Sequence, residues 1–563
     1  LRKKWEIAPR MPAAHAERNP KLPALLLQLL YNRDIADPSE IRDFIGGSWQ
    51  EPDLYLLPDM ERAVDVLIRA ISRQEKIAVY GDFDADGVTA TALLTQVLDG
   101  LGANVIHYIP PRADGYGVNI KALRELYRQE VRLVVTVDCG VRAVDEIEQA
   151  RRGLEFVVTD HHDLARNLPF ASAVINPKRR DSTYPFSGLA GVGVAYKLAQ
   201  ALIREAVRRG MPADVEEGAL LDLVALGTVA DLAPLLGENR YLVQRGLEVI
   251  NDARREGVRA LLQVSGLRPG AVTASSIAFA LGPRLNAAGR LGDASLSYEL
   301  LVSADPVQAD RLAARLNEQN RQRRNLTEHA YQLAEELALA PGEMPNLLFA
   351  AHPDFSAGVV GLVAGRLTEA HYRPAVVVEQ AGEISRGSCR SIPEFDITAA
   401  LDECSDLLLR HGGHATAAGF RIHSDQLGTL VQRLSEIAQR ELSDLALVPA
   451  LSIDAEVDVN EMSWETMSWL EKLEPCGYRN PAPLFLSRGV PLAEARAVGS
   501  EGKHLKLTLA AETEAREAIA FRLGDRVGEV GARMDLVYQL EVNEWNGSRS
   551  LQLNVQDFGP SNS

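Results

Sequence analysis

The fold is decided by the stretch Lys76-Ile77-Ala78-Val79-Tyr80-Gly81-Asp82-Phe83-Asp84-Ala85-Asp86-Gly87. An uncharged run rich in β-branched and aromatic side chains is followed at once by three aspartates at alternate positions. A short apolar run bounded by glycine reads as a buried strand. Three further runs of this kind follow, Val105 to Ile109, Leu133 to Val137 and Phe156 to Thr159, with helical stretches between them. Strands alternating with helices predict a parallel, doubly wound sheet. Two of those later runs also end on chemistry-bearing residues, Asp138-Cys139-Gly140 and Asp160-His161-His162. Open parallel sheets bind ligands at that carboxyl-terminal edge.

Asp82 and Asp84, two residues apart, face one side if the chain there is extended. Asp86 opens the next helix, and Gly87 is expected to let the chain turn. Carboxylates brought within ~4 Å of each other repel by about 4 kcal/mol per pair at an effective dielectric of 20, so protons or cations must neutralise such a cluster. Carboxylate oxygens with one imidazole favour manganese or magnesium over zinc. His161 and His162 are expected to point in opposite directions, one toward metal and the other toward substrate. A calcium loop is the nearest competing pattern, because Asp82, Asp84, Asp86 and Gly87 fill its first, third, fifth and sixth positions. Its twelfth position is Leu93 rather than Glu, and a strand precedes it. A phosphatase D-x-D motif would leave Asp138 and the Asp160-His161-His162 triplet without a role.

The chain has 563 residues, 46 % hydrophobic and 24 % charged, which is globular composition with room for roughly three or four domains. Its 60 Lys+Arg against 77 Asp+Glu leave a net charge of −17, and this excludes uniform, charge-driven binding to nucleic acid. A confined basic groove on an acidic protein remains open to it. Cys139, Cys389, Cys404 and Cys476 form no C-x-x-C pair, which fits a reducing compartment. Without a long apolar run, the expected location is cytoplasmic, with no membrane partner. Leu1 in place of Met is expected of a trimmed N-terminus.

Five segments are expected. They are a helical lead-in over 1–48, an α/β catalytic domain over 49–305, a connecting helix over 306–340, a second α/β domain over 341–448, and a β-rich domain over 449–563. Arg311 to Arg324 is locally +4, whereas 441 to 480 is −7. The last domain should end in a hairpin around Asn546-Gly547 and form a small barrel of the OB type. Trp464 and Trp469 are expected in its core, and Trp545 at the hairpin tip as a base-stacking candidate.

Tyr80 to Thr89, Val137 to Gly140, Thr159 to His162 and Gly227-Thr228-Val229-Ala230-Asp231 resemble the four motifs of the DHH phosphoesterase superfamily. Gly282 to Arg290, Gly387 to Ser391, Gly412-Gly413-His414 and Asn480 to Phe485 extend the resemblance to its single-strand-specific 5′→3′ exonucleases, the RecJ family, over nearly the whole chain. That resemblance implies a DHH parallel-sheet domain, a DHH-associated domain and an OB-like barrel. It implies two Mn²⁺ or Mg²⁺ ions sharing Asp138, one held by Asp82 and Asp84 and the other by Asp86, His161 and Asp231, with Asp84 a candidate bridge. Asp160 would orient the histidines and His162 would contact the scissile phosphate.

Arg386, Ser388 and Arg390 on one strand face, with Ser391, Gly412, Gly413 and His414, are the substrate-binding candidates of the second domain; Gly412-Gly413 taken alone reads as a tight turn. Arg284, Asn286 and Arg290 are further phosphate candidates, and Tyr116 could stack a base. The expected partner is single-stranded DNA with a 5′ end, with single-strand-binding protein and a helicase nearby, and the expected state is a monomer. The competing functions are a phosphodiesterase for short oligonucleotides or cyclic dinucleotides and a non-catalytic replication scaffold. The second would be expected to lack motif carboxylates, all of which are present here.

Overall fold

The computed structural model describes residues 3–47, 49–340, 342–510, 516–545 and 548–561. Its first sheet has five parallel strands in the order Val105–Tyr108, Ile77–Tyr80, Leu133–Val137, Glu155–Thr159, Ala173–Ile175. Alternate side chains enter two different cores. Ile77 and Val79 pack with the helices Met60–Ser72, Ala85–Gly100 and Gly191–Arg208. Ala78 and Tyr80 pack with Ile120–Arg128 and Val144–Ala150. Burial on both faces explains why these strands read as continuous apolar runs. The fifth strand, only three residues long, escapes the sequence pattern. The strand order reverses between Ile77–Tyr80 and Leu133–Val137, and Asp82 and Asp138 leave the sheet on either side of that switch point, where such folds open a crevice.

The connecting helix runs from Pro306 to Leu339, 34 residues or about 50 Å at 1.5 Å per residue. Asp305 caps it through Val307 N. Ala309, Leu312, Ala313 and Leu316 join the core of the first domain, while Ala330, Ala334 and Ala338 join that of the second. One continuous helix thereby fixes the two domains to a common axis.

The second domain is a five-stranded sheet in the order Leu408–His414, Ala417–His423, Ile384–Arg390, Ala375–Glu379, Leu348–His352, parallel only in its last pair. Gly412 and Gly413 lie inside the exposed edge strand rather than in a tight turn; the reversal falls at Ala415-Thr416.

At the C-terminus, Phe485–Val498, His504–Leu509, Arg516–Ala520, Ser548–Pro560 and Arg533–Trp545 close into a barrel through the pairing of first and last. The loop Asn546-Gly547 and the Trp545 side chain lie outside the described residues. Trp469 packs against the barrel core as expected, but Trp464 is 49 % exposed beneath Arg549. The lead-in is more than helical. Lys4–Ile7 forms a parallel pair with Ala450–Ile453, and Leu26, Leu27, Leu29 and Leu30 enter the barrel-side core. Arg240 ties this module to the first domain. Its guanidinium donates to the carbonyls of Phe44, Lys472 and Glu474 and stacks over the Phe44 ring.

Candidate metal centre and the cleft beside it

The helix Ala85–Gly100 starts one residue before the expected Asp86, and Asp84 keeps an extended backbone just ahead of it. Asp84 is its N-cap, and Oδ1 accepts from the amides of Asp86 (3.0 Å) and Gly87 (3.1 Å). Gly87 lies within the first turn, where a Cβ would come within 2.6 Å of the Asp82 amide nitrogen. It serves close packing rather than a turn. Asp86 is buried, and both of its oxygens accept amides from the start of the next helix, Gly191 at 2.7 Å and Val192 at 2.8 Å. Asp138 adopts a left-handed backbone (φ 57°) beyond its strand, and Asp231 caps the end of Leu221–Ala230.

Asp160 curls the chain of the histidine pair. Its Oδ1 accepts the amides of His161 (2.8 Å) and His162 (3.0 Å), and Oδ2 that of Val141 (2.9 Å). The two rings therefore converge instead of pointing apart, edge to face with centroids 4.5 Å from each other. His161 Nε2 lies 3.0 Å from Asp138 Oδ1, 3.8 Å from Asp86 Oδ2 and 3.9 Å from Asp231 Oδ2. His162 Nδ1 is 2.8 Å from Asp160 Oδ1 and 3.9 Å from Asp138 Oδ1. The Tyr116 hydroxyl lies 2.9 Å from that same nitrogen and donates to the Asp138 carbonyl at 3.1 Å. Tyr116 thus braces His162 while leaving its ring 48 % exposed.

Burial first, and then neighbouring carboxylates, push the Asp82, Asp138 and Asp231 carboxyls well above their ordinary value. Asp86 is raised to about 7 by burial and by Asp84. Burial pushes Asp160 the same way, but the hydrogen bond and charge of His162 outweigh it and hold Asp160 below its ordinary value. His162 is raised, because Asp160 overcomes the effect of burial, whereas burial and the adjacent His162 lower His161 to about 4. His161 is thus a neutral ligand at physiological pH, whereas Asp160 raises the proton affinity of His162.

Asp82 Oδ1, Asp138 Oδ1 and His161 Nε2 are buried with no hydrogen-bond partner. Buried polar atoms are ordinarily satisfied, and two such atoms 3.0 Å apart without a hydrogen bond between them suit donation to a common cation. Asp86, His161 and Asp231 offer ligand atoms within 4.8 Å of one another, and so do Asp138, His161 and His162. The first set unites three residues expected on one ion. The second brings in His162, which the sequence reading gave only to phosphate.

The other candidates divide. Asn286 spends Oδ1 on the Ala85 amide (2.9 Å), bracing the aspartate-bearing helix start. Arg284 is tied to Asn317 and to the Ala280 carbonyl. Ser391 donates to the Phe395 carbonyl. Arg386, Ser388 and Arg390 do share one half-buried strand face. Arg290 Nη1 reaches across the domain boundary to the Gly358 carbonyl at 3.2 Å. Burial lowers Arg290 to about 10, assisted by the positive charges of Arg112, Arg323 and Arg390. Four arginines from both domains and the connecting helix therefore lie close enough to feel one another's charge near Asp84. His414 projects its charge onto Asp163, directly after the histidine pair. The sequence reading missed Arg112, which stacks over Phe83 at 4.8 Å and feels Asp82 and Asp84. Its only signal was a lone basic residue after Pro110-Pro111.

Three family descriptions match consecutive parts of the chain: "DHH family, N-terminal domain" over residues 76–228, "DHHA1 domain" over 345–440 and "RecJ OB domain" over 453–557. The single-stranded-DNA-specific exonuclease RecJ of Dickeya dadantii is 38 % identical, with 98 % of each chain covered. The chain belongs to the RecJ family. The RecJ of Bacillus subtilis is 37 % identical over 90 % of this chain, which spans 64 % of that longer relative. A crystal structure of RecJ from Thermus thermophilus in complex with Mn²⁺ superposes with a TM-score of 0.84 at 30 % identity, covering 100 % of this chain and 80 % of that one. A Mg²⁺ complex of the same RecJ gives 0.79 at 29 % identity, covering 100 % and 79 %.

Proposed function

We infer that the protein is a metal-dependent exonuclease that hydrolyses single-stranded DNA from its 5′ end to 5′-mononucleotides, in DNA repair and recombination. The observation that carries this reading is the pairing of a buried carboxylate–imidazole centre with arginines gathered beside it from both domains, Arg290 touching the Gly358 carbonyl and Arg390 lying against Gly361. The first can hold two divalent cations, Mn²⁺ or Mg²⁺, and the second offers charge to phosphate. We assign Asp82, Asp84, Asp86, Asp138, His161 and Asp231 to the two ions, with His162 within ligand reach. When bound, the ions supply an activated water and charge stabilisation at the attacked phosphorus.

The chain's own groups do the rest. Asp160 fixes the histidine turn and raises the proton affinity of His162, and His162 contacts the scissile phosphate. Tyr116 holds the imidazole in place. Arg290, Arg390 and Ser388, with Arg112, seat the terminal phosphate. Water adds to phosphorus and the bond to the 3′ oxygen breaks. The released nucleotide then carries a 3′ hydroxyl, and the shortened strand a new 5′ phosphate.

With this reading go the domain limits 1–48, 49–305, 306–340, 341–448 and 449–563, the first segment packing on the last. Cytoplasmic action as a monomer, on strands opened by a helicase and coated by single-strand-binding protein, completes the proposal. Among the described residues no helix is long and apolar enough to cross a membrane, and the four cysteines are free.

Digestion of long single strands labelled at the 5′ or the 3′ end, with Mn²⁺ or Mg²⁺, tests it. Early release of the 5′ label as a mononucleotide is expected. A preference for two- to five-residue oligonucleotides over long strands would favour the short-substrate phosphodiesterase instead.

A further inference from the structure

Phe279 is 83 % exposed, the highest value among the large apolar side chains described. It stands on a π-helical turn, Ile277–Leu281, that runs directly into the helix bearing Arg284 and Arg290. Single π turns interrupting helices recur at functional sites. This one packs on Leu221–Ala230, the helix that ends at Asp231, and Gly282 lies against Ala230. Leu232, immediately past Asp231, is 64 % exposed with a left-handed backbone (φ 60°). Three residues further on, the Leu235 amide donates to the carbonyl of Tyr478, which is itself 56 % exposed. Exposed apolar side chains thus run from the metal-ligand candidate Asp231 toward the barrel module.

Direction follows from the helix. Eleven residues separate Phe279 from Arg290, roughly 16 Å along a helix axis, so the ring stands a few nucleotides away from a terminal phosphate seated at Arg290. A flat, exposed aromatic ring on an element that continues into the helix carrying the phosphate candidates Arg284 and Arg290 is suited to stacking on an unpaired base, because every base has a π face.

Resting on the nuclease reading above, we propose that Phe279 is a base-stacking step of the substrate path, engaging an unpaired base on the 3′ side of the scissile phosphate, with Leu232 and Tyr478 continuing the same apolar track toward the barrel. Its work is to hold the strand in line after the first nucleotide has entered. It makes no contact with the reacting atoms.

The test is a substitution cycle between protein and substrate. Wild type, F279A and F279W are compared at low substrate on a 5′-phosphorylated single strand in Mn²⁺, and on strands in which one abasic site is walked through the first several positions. F279A should reduce kcat/KM between about fivefold and a hundredfold, the range carried by base–aromatic stacking. The loss should fall mainly on KM, with thermal stability unchanged, and F279W should restore activity. At one position, 3′ of the scissile bond, an abasic site should slow wild type by a similar factor and slow F279A no further. Equal activity of F279A and wild type on intact strands overturns the inference while leaving the nuclease reading in place. So does an abasic penalty that adds in full to the F279A loss at every position. A wild type inactive on the intact strand overturns both.

Discussion

Asp138 holds a left-handed backbone (φ 57°) at a cost of about 1–3 kcal/mol, and aims an unpartnered oxygen at a ring of other carboxylates. Each of these features weakens the metal-free protein, and together they make sense only as preparation for a cation. Asp138→Asn should therefore abolish Mn²⁺-dependent hydrolysis yet raise the melting temperature of the metal-free protein, since it removes a buried group whose ionisation burial and its neighbours oppose. Asp84→Ala should abolish hydrolysis too, but with some loss of stability, because it also deletes the N-cap of Ala85–Gly100, worth about 1 kcal/mol. Melting curves in chelator beside an activity assay separate the two. The same carboxylates set a pH dependence. Asp86 rises from an ordinary 3.8 to about 7, so its contribution to metal-free stability is full below about 4 and is lost as pH climbs toward 7. Cations bind only the ionised form, so the sign reverses when metal is present. His161 sets no acid-side limit above pH 5, being neutral above about 4. The increase in melting temperature on adding Mn²⁺ should accordingly grow from pH 5 through pH 7. A constant increment across that range would mean that the buried carboxylates are ionised without the ion.

Among the elements, the helix Gly191–Arg208 acts through its first two amides, which hold Asp86, and through the missing side chain of Gly191, where a Cβ would lie 2.5 Å from Asp138 Oδ1. Gly191→Ala should displace the Asp138 carboxylate and lower Mn²⁺ affinity at least tenfold, whereas Gly193→Ala, whose Cβ would meet only the end of Leu189 at 3.3 Å, should bind Mn²⁺ normally. Isothermal titration of both variants checks this. Local sequence pattern does not reveal the target of this helix start, because the contact with Asp86 spans 105 residues. The same limit explains what else was hidden. Strand ends announce Asp82, Asp138 and Asp160 through local pattern, and the helix 306–339 through its lack of breakers. The bracing role of Tyr116 and the entry of Arg112 depend on side-chain partners supplied by other segments, and the convergence of His161 and His162 on a turn that the Asp160 side chain folds by taking both of their amides. Gly412 and Gly413 looked like a turn because glycine pairs usually mark one; the hairpin partner Ala417–His423 makes them strand.

For the whole molecule, a net charge of −17 coexists with a cleft where Arg112 and Arg290 from the catalytic domain, Arg323 from the connecting helix and Arg390 from the second domain repel one another. Arg390 Nη1 does reach Ser388 Oγ (3.4 Å) and the Cys389 carbonyl (2.8 Å), so the strand face holds the guanidinium in place without neutralising it. A terminal phosphate would supply the missing negative charge and add a bridge between domains that the 34-residue helix and the Arg290–Gly358 contact already join. Binding energy should come from these few contacts, since long-range attraction to an acidic protein is unfavourable. Salt dependence should then be shallow and removable one arginine at a time, with a slope near −0.7 in log kcat/KM against log salt for each phosphate neutralised on a single strand. Arg390→Ala should lower kcat/KM on a 5′-phosphorylated strand by about ten- to a hundredfold, the value of a charged hydrogen bond. It should leave a 5′-hydroxyl strand nearly unaffected and reduce the salt slope by about 0.7. Equal loss on both strands would instead place Arg390 on an internal phosphate, and an unchanged preference with an unchanged slope would seat the terminal phosphate outside this cleft.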